Sequence, residues 1–362
     1  MIEPAEIQGR FSAPRAGVTQ PALPCVVEPI LRAHVLFLFL ALAIVITLAL
    51  QVWLGQITIY GPELAAKRLM LHHAIVANVP PEGGWAAVGA AALNIRVTAV
   101  FAAQFLHEWS GLGVLRSYLL MDTVFLFVLL LVFPLYLRRW LPPTWCLVGM
   151  LYFAALLPLS YFQHAFQPWD RMQLTVWLLL LALIRDDKFW PVLAVLALAM
   201  TIKFDTALVA LLYGMAQLRR GPLTHTLLRC AALVVTAWAV LFWLKWAFPA
   251  PAEPARFSMA VATQQLAMNW RDGIELKLWH PALLAWGLPA VLALWGLHRR
   301  PQFLAAGVMF AAVLTLVWAT FTVYAEIRGQ FALAWLLLPP ALLTLREWLE
   351  PSYLAAGEAA AG

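Results

Sequence analysis

Residues 35–50 read VLFLFLALAIVITLAL, a run whose only polar side chain is Thr47. A continuous apolar run of this kind suits a helix crossing a bilayer, whereas a transmembrane strand would show short alternating segments. Similar runs recur from Val35 almost to the C-terminus of the 362-residue chain. Together they raise the hydrophobic share to 64% and hold the charged share to 12%, with a mean hydropathy of +0.82. A soluble domain of this size would carry roughly 25% charged residues. The sequence is therefore that of an all-α, polytopic transmembrane helical bundle.

Length and flanking charge divide the bundle into about ten spans, near 34–54, 115–137, 144–163, 172–184, 189–202, 204–218, 228–248, 280–297, 302–324 and 330–346. Several middle ones are short, as tilted or bundle-enclosed helices can be. With the N-terminus inside, Arg138-Arg139, Arg185/Lys188, Arg219-Arg220, Arg299-Arg300 and Arg346 all fall on the cytoplasmic side. This organisation predicts a cytoplasmic tail over 1–33, a transmembrane domain over 34–346 and a cytoplasmic tail over 347–362. Segment 55–114 becomes the longest external stretch. Within it, residues 63–78 suit a short helix carrying Lys67, Arg68, His72 and His73. Residues 85–107 place Leu93, Val97, Val100, Phe101 and Phe105 on one helical face, with Arg96, Gln104 and His107 on another, the pattern of an interfacial helix.

The net charge of +6 does not point to nucleic acid, because the basic residues sit as doublets between apolar runs rather than as a stripe on a soluble domain. Cys25, Cys146 and Cys230 are far apart, with no disulfide framework and no metal-ligand spacing. The polar first 33 residues contain no early apolar core, so the first run reads as a retained anchor rather than a cleaved signal peptide.

Ionisable groups at or inside spans are costly, and each is a candidate functional residue. The predicted external ends hold Asp170-Arg171, Lys203 with Asp205, and Glu326 with Arg328, and Asp122 lies a turn or two into its span. Each also has a plainer reading: a span border, a self-neutralising turn or a hydrogen-bonded helix residue. The adjacent His72-His73 point about 100° apart on a helix and make a poor metal pair. Glu326 and Arg328, two apart in AEIRG, cannot pair side by side on a regular helix, so either the chain is unwound at this turn or each addresses a different partner. Fixed cations suit a lipid-linked phosphate, and a carboxylate suits removal of a proton from an acceptor hydroxyl.

Four stretches carry a resemblance: LNIRVTAV (93–100), QPWDRMQL (167–174), KFDTALVALL (203–212) and AEIRGQFALAW (325–335). In layout and in these segments the chain resembles the GT-C superfamily of polyprenyl-phosphate-dependent integral-membrane glycosyltransferases, above all its small bacterial members. The resemblance covers about residues 34–346, by arrangement rather than by a sharp motif. It implies a GT-C-like bundle in the bacterial inner membrane. The implied activity moves a sugar from a polyprenyl-phosphate carrier to a cell-envelope acceptor at the extracytoplasmic face. It nominates Arg96, Asp170, Lys203, Asp205, Glu326 and Arg328; joined to the reading of the charges, this gives Glu326, Asp170 and Glu63 as candidate proton acceptors, and Arg96, Arg171, Lys203, Asp205 and Arg328 for binding the phosphate and substrate. Many members carry an aspartate in the first external segment; here Glu63 is the first acid after the opening span. No metal ligands are assigned, although a divalent cation is compatible with such a site. The competing readings are a transporter or flippase for a lipid-linked or anionic substrate, and a non-catalytic relative.

Overall fold

The computed structural model describes residues 27–54, 62–81, 96–164, 167, 169–218, 220–248, 259–274, 279–321 and 327–350. These residues are helical throughout, with no strand among them. The helices are α1 (Val27–Trp53), α2 (Pro62–Ala77), α3 (Val97–Ser110), α4 (Val114–Leu137), α5 (Pro143–Leu156), α6 (Asp170–Arg185) and α7 (Phe189–Met200). They continue with α8 (Val209–Gln217), α9 (Leu223–Ala247), α10 (Met259–Ile274), α11 (Trp279–Trp295), α12 (Gln302–Phe321) and α13 (Leu333–Leu349). Among the described residues six segments are long and apolar enough to cross a membrane: Ala33–Trp53, Val114–Leu137, Pro143–Ser160, Leu223–Ala247, Gln302–Phe321 and Gly329–Leu349. Phe189–Met200 and Ala282–Trp295 are shorter apolar helices. Among the described residues each of the ten runs read from the sequence overlaps a helix, but α6, α7 and α8 have only 16, 12 and 9 residues.

The chain stops its helices by local means. Asn78 and Asp187 take left-handed φ values of 52° and 51°, and Gly111 takes 69°. After α2, Val79 N–H reaches Ala74 C=O and Asn78 N–H reaches Ile75 C=O; after α6, Lys188 reaches Leu183 and Asp187 reaches Ile184. Both are Schellman closures, which satisfy carbonyls that the ending helix leaves open. The second one reverses the chain at once, so that α7 packs back against α6.

Inside the bundle α4 contacts α1, α3, α5 and α6, while α13 packs along α11 and α12. Phe133, Phe153, Trp335 and Phe331 form the aromatic centre, with ring centroids 4.6 Å apart for Phe133–Trp335 and 4.9 Å for Phe153–Trp335. Two tyrosines repair backbone that proline leaves open. Pro339 has no N–H to give Trp335 C=O one turn earlier, and the Tyr136 hydroxyl donates to that carbonyl at 3.1 Å. Pro289 leaves Ala285 C=O in the same state, and the Tyr152 hydroxyl donates to it at 2.5 Å. Where no water competes, such a carbonyl needs a partner.

The outer surface is apolar. Only 17% of the spanning window of α9 is buried, and Leu228, Val235, Trp238, Phe242 and Trp246 are exposed along it. A face of that size is tolerated when it meets lipid. The apolar residues of α3 divide between two faces. α3 turns Val97, Val100, Ala99 and Ala103 inward and leaves Phe101 and Phe105 exposed. Two alanines let its backbone approach α4 closely, and the bulky rings are left outside; residues 82–95 and Leu93 with them lie outside the described residues.

Candidate functional site

α6 begins beside the turn that joins α7 to α8, with Asp122 of α4 and the 3-10 turn Ile327–Ala332 packed against its first residues, and there the charges gather. Asp170 is the first residue of α6, where the unpaired N–H groups of a helix start favour a carboxylate. Lys203 ends the α7 turn in an extended conformation (φ −162°, ψ 126°), its carbonyl held by Thr206 Oγ1 at 2.7 Å. Its ammonium lies between two carboxylates, 3.7 Å from Asp170 Oδ1 and 3.4 Å from Asp205 Oδ2. Asp205 is further fixed by the Gln173 amide, which donates to Oδ1 from one turn along α6.

The next residue of α6 faces another way. Arg171 donates to the Ser160 hydroxyl, sets its Nε 4.0 Å from Asp122 Oδ1, and places Cζ 5.7 Å from the Phe331 ring centroid. The Arg171 and Asp122 side chains are only 3% and 6% exposed, so this pair lies out of water. Phe331 lies in the 3-10 turn Ile327–Ala332, so its ring brings the start of α13 to the Arg171 guanidinium. Glu326 and the Arg328 side chain lie outside the described residues.

On the other side of Asp170, Trp169 is fully buried and gathers two guanidiniums. Arg96 Cζ lies 4.5 Å and Arg68 Cζ 4.6 Å from its ring centroid. Arg68 also donates to Gln167 Oε1 at 2.7 Å. Arg96 sits at the start of α3, which is tied to the end of α7 by Thr98 N–H to Thr201 C=O. Each such cation–π contact stabilises by about 2 kcal/mol or more when desolvated.

Behind the arginines, His72 is buried between the Tyr118 hydroxyl (2.9 Å) and Gln104 Oε1 (2.8 Å). Gln104 Nε2 donates to Glu108, so its Oε1 faces His72 and must receive the Nε2 proton. In the neutral ring Nδ1 then accepts from the Tyr118 hydroxyl. Burial accordingly pushes the His72 pKa down, against an upward pull from the Gln104 hydrogen bond.

The structure thus brings Asp170, Arg171, Lys203 and Asp205 together and sets Arg96 beside them through Trp169. Asp122 belongs to the same group. Glu63 does not join it: it is exposed at the start of α2 and bonded to Lys67 at 2.6 Å. That bond holds its carboxyl below the usual range, which weakens it as a base. Arg68, Trp169, Ser160 and Gln173 were not among the residues nominated from sequence. Arg68 was within reach, because 68, 71, 72 and 75 share one helical face and all four are buried. Among the described residues no group of three or more His, Cys, Asp or Glu side chains is arranged to hold a metal ion.

Comparison with known proteins found no matching family model, no matching curated protein and no matching solved structure.

Proposed function

We propose that this chain is a ten-span glycosyltransferase of the GT-C type, acting on a polyprenyl-phosphate-linked sugar at the extracytoplasmic face of the inner membrane. The observation that carries the reading is the convergence of Asp170, Lys203, Asp205, Arg171 and Asp122 with Arg96 and Arg68 at one end of the bundle. Guanidinium and ammonium groups match the charge that grows on a departing lipid phosphate. In the reaction an acceptor hydroxyl attacks the anomeric carbon as the bond from that carbon to the phosphate oxygen breaks. The lipid phosphate leaves with the bonding pair, and the hydroxyl proton passes to a carboxylate. Asp170 is the described carboxylate nominated for that role, with Glu326 as the other; Arg96, Arg68, Arg171, Lys203 and Arg328 bind the phosphate. Asp205 orients Lys203.

The test is release of polyprenyl phosphate by purified protein in proteoliposomes offered a set of polyprenyl-phosphate sugars and a glycan acceptor. Asp170→Asn, Glu326→Gln and Lys203→Met are compared with Arg139→Ala at the opposite end. Loss of a general base lowers turnover by about 100-fold or more, and Arg139→Ala keeps full activity. Wild-type protein that releases no lipid phosphate from any donor overturns the reading. Labelling of position 205 from both membrane faces would favour the flippase instead.

A further inference from the structure

α10 carries an apolar stripe that the bundle does not cover. The helix is about 24 Å long at 1.5 Å per residue, shorter than the ~30 Å hydrocarbon core, so it does not cross a bilayer. Three faces follow one another around it. Ala262 and Asn269 are buried against the bundle, and Met259, Leu266 and Trp270 are exposed within ~40° of each other beside them. Gln264 and Arg271 are exposed roughly 130° further round, away from the bundle. Asn269 sets the level of the helix. Its amide donates at 2.6 Å to the carbonyl of Ala319, in the last turn of α12, where carbonyls have no partner within their own helix. α12 is one of the spanning segments, and it starts beside Arg300, which binds Glu347 in the last turn of α13. Its Ala319 end is therefore at the charged-site end, where Phe331 precedes α13 and meets Arg171. Exposed indoles gather at that end: Trp109 in the last turn of α3, and Trp246 of α9, whose Leu244 packs with Val97 and Val100 of α3. Indoles exposed at the ends of spanning helices mark the membrane–water interface.

We propose that α10 lies flat in the boundary between lipid headgroups and acyl chains at the charged-site end of the bundle. Met259, Leu266 and Trp270 dip into the lipid, and Gln264 and Arg271 face water. The partner of the stripe is the lipid surface, continuous with the apolar outer faces of the spanning helices that α10 is tied to. The placement does not depend on the transfer reaction: the readout is lipid contact, not turnover.

The experiment uses full-length protein in phosphatidylcholine proteoliposomes, with Cys25, Cys146 and Cys230 replaced by alanine and a single spin-labelled cysteine at position 259, 264, 266, 270 or 271. Collision with lipid-soluble oxygen and with a water-soluble nickel chelate is measured at each position. Oxygen is expected to dominate at 259, 266 and 270, at a depth of about 5–10 Å, and nickel at 264 and 271. Wild-type protein is also expected to be captured within 259–271 by a phosphatidylcholine with a diazirine near its headgroup, so the proposal stays testable if the cysteine-free chain fails to assemble. Nickel dominance at every position places α10 in water, and oxygen dominance at every position places it inside the hydrocarbon. Dipolar broadening at 266 and 270 that dilution with unlabelled protein removes places a second copy on the stripe. Each of these outcomes overturns the proposal, as does absence of lipid capture within 259–271 of the wild type.

Discussion

The two ends of the bundle hold similar numbers of charges and use them differently. At the end where α4 and α6 finish, Arg139 pairs with Asp186 with side chains 32% and 37% exposed, and Arg229 pairs with Asp187 at 26% and 46%. At the end where α6 begins, Arg171 and Asp122 are 3% and 6% exposed. Exposed pairs of the first kind are worth about 0–1 kcal/mol and are screened by salt. Buried charges of the second kind cost several kcal/mol each to desolvate, so packing rather than solubility keeps them where they are. The Arg139 and Arg229 pairs keep contact with solvent, whereas the Arg171–Asp122 pair is enclosed by the bundle.

The sharpest way to break this contrast is to remove one buried partner. Arg171→Leu leaves the Asp122 carboxylate without its guanidinium and should cost about 3–5 kcal/mol, read as thermal unfolding in detergent. A loss below 1 kcal/mol would mean that the site end is solvated after all. Next in size is the proline repair. Tyr152→Phe exposes Ala285 C=O to an apolar interior at a cost of about 1–3 kcal/mol. Pro289→Ala in the same chain should restore most of it by returning the helical donor, and a double-mutant cycle that shows no coupling refutes the explanation.

Gly296→Ala tests the opposite end where it is tight. A Cβ there would stand 2.5 Å from Arg300 Nη2 and 2.7 Å from Thr344 Oγ1, inside the cluster that binds Glu347. Overpacking predicts a loss of about 1–3 kcal/mol, whereas Gly111, with nothing within 4 Å, would respond only through its φ of 69°.

His72 gives a smaller, pH-dependent effect. Its folded pKa lies below the 6.5 of the free ring, so the unfolded chain binds more protons below about that pH. The stability of the neutral network is whole above pH 6.5 and declines as pH falls through that value, with nearby His73 and His107 opposing the added charge. Hydrogen exchange over 68–77 should quicken at about pH 5 and not in His72→Gln. Smallest of all, Arg139→Ala should change stability by less than about 1 kcal/mol.

Much of this was legible beforehand. Continuous runs such as 35–50 dictate helices because backbone in lipid must satisfy itself, and Asp170, Arg171, Lys203 and Asp205 stood out because charge is rare in such runs. Trp169 and Ser160 did not stand out. An indole in an apolar chain with 18 tryptophans carries no signal until two arginines are seen to close on it. Nor did the pattern show that α3 would turn Ala99 and Ala103 inward, because amphipathic pattern ranks Phe above Ala, whereas close helix approach prefers Ala.

The sequence by itself determined helix against strand, the approximate run boundaries and which residues were too polar for their surroundings. These follow from local composition and the thickness of a bilayer. Only the tertiary structure decided that Lys203 bridges Asp170 and Asp205, that Asp122 meets Arg171, and that Tyr136 and Tyr152 serve carbonyls freed by prolines at 339 and 289. Those pairings join residues from 33 to 199 positions apart in several of these cases, and helix periodicity carries no information about which turn of one helix faces which turn of another.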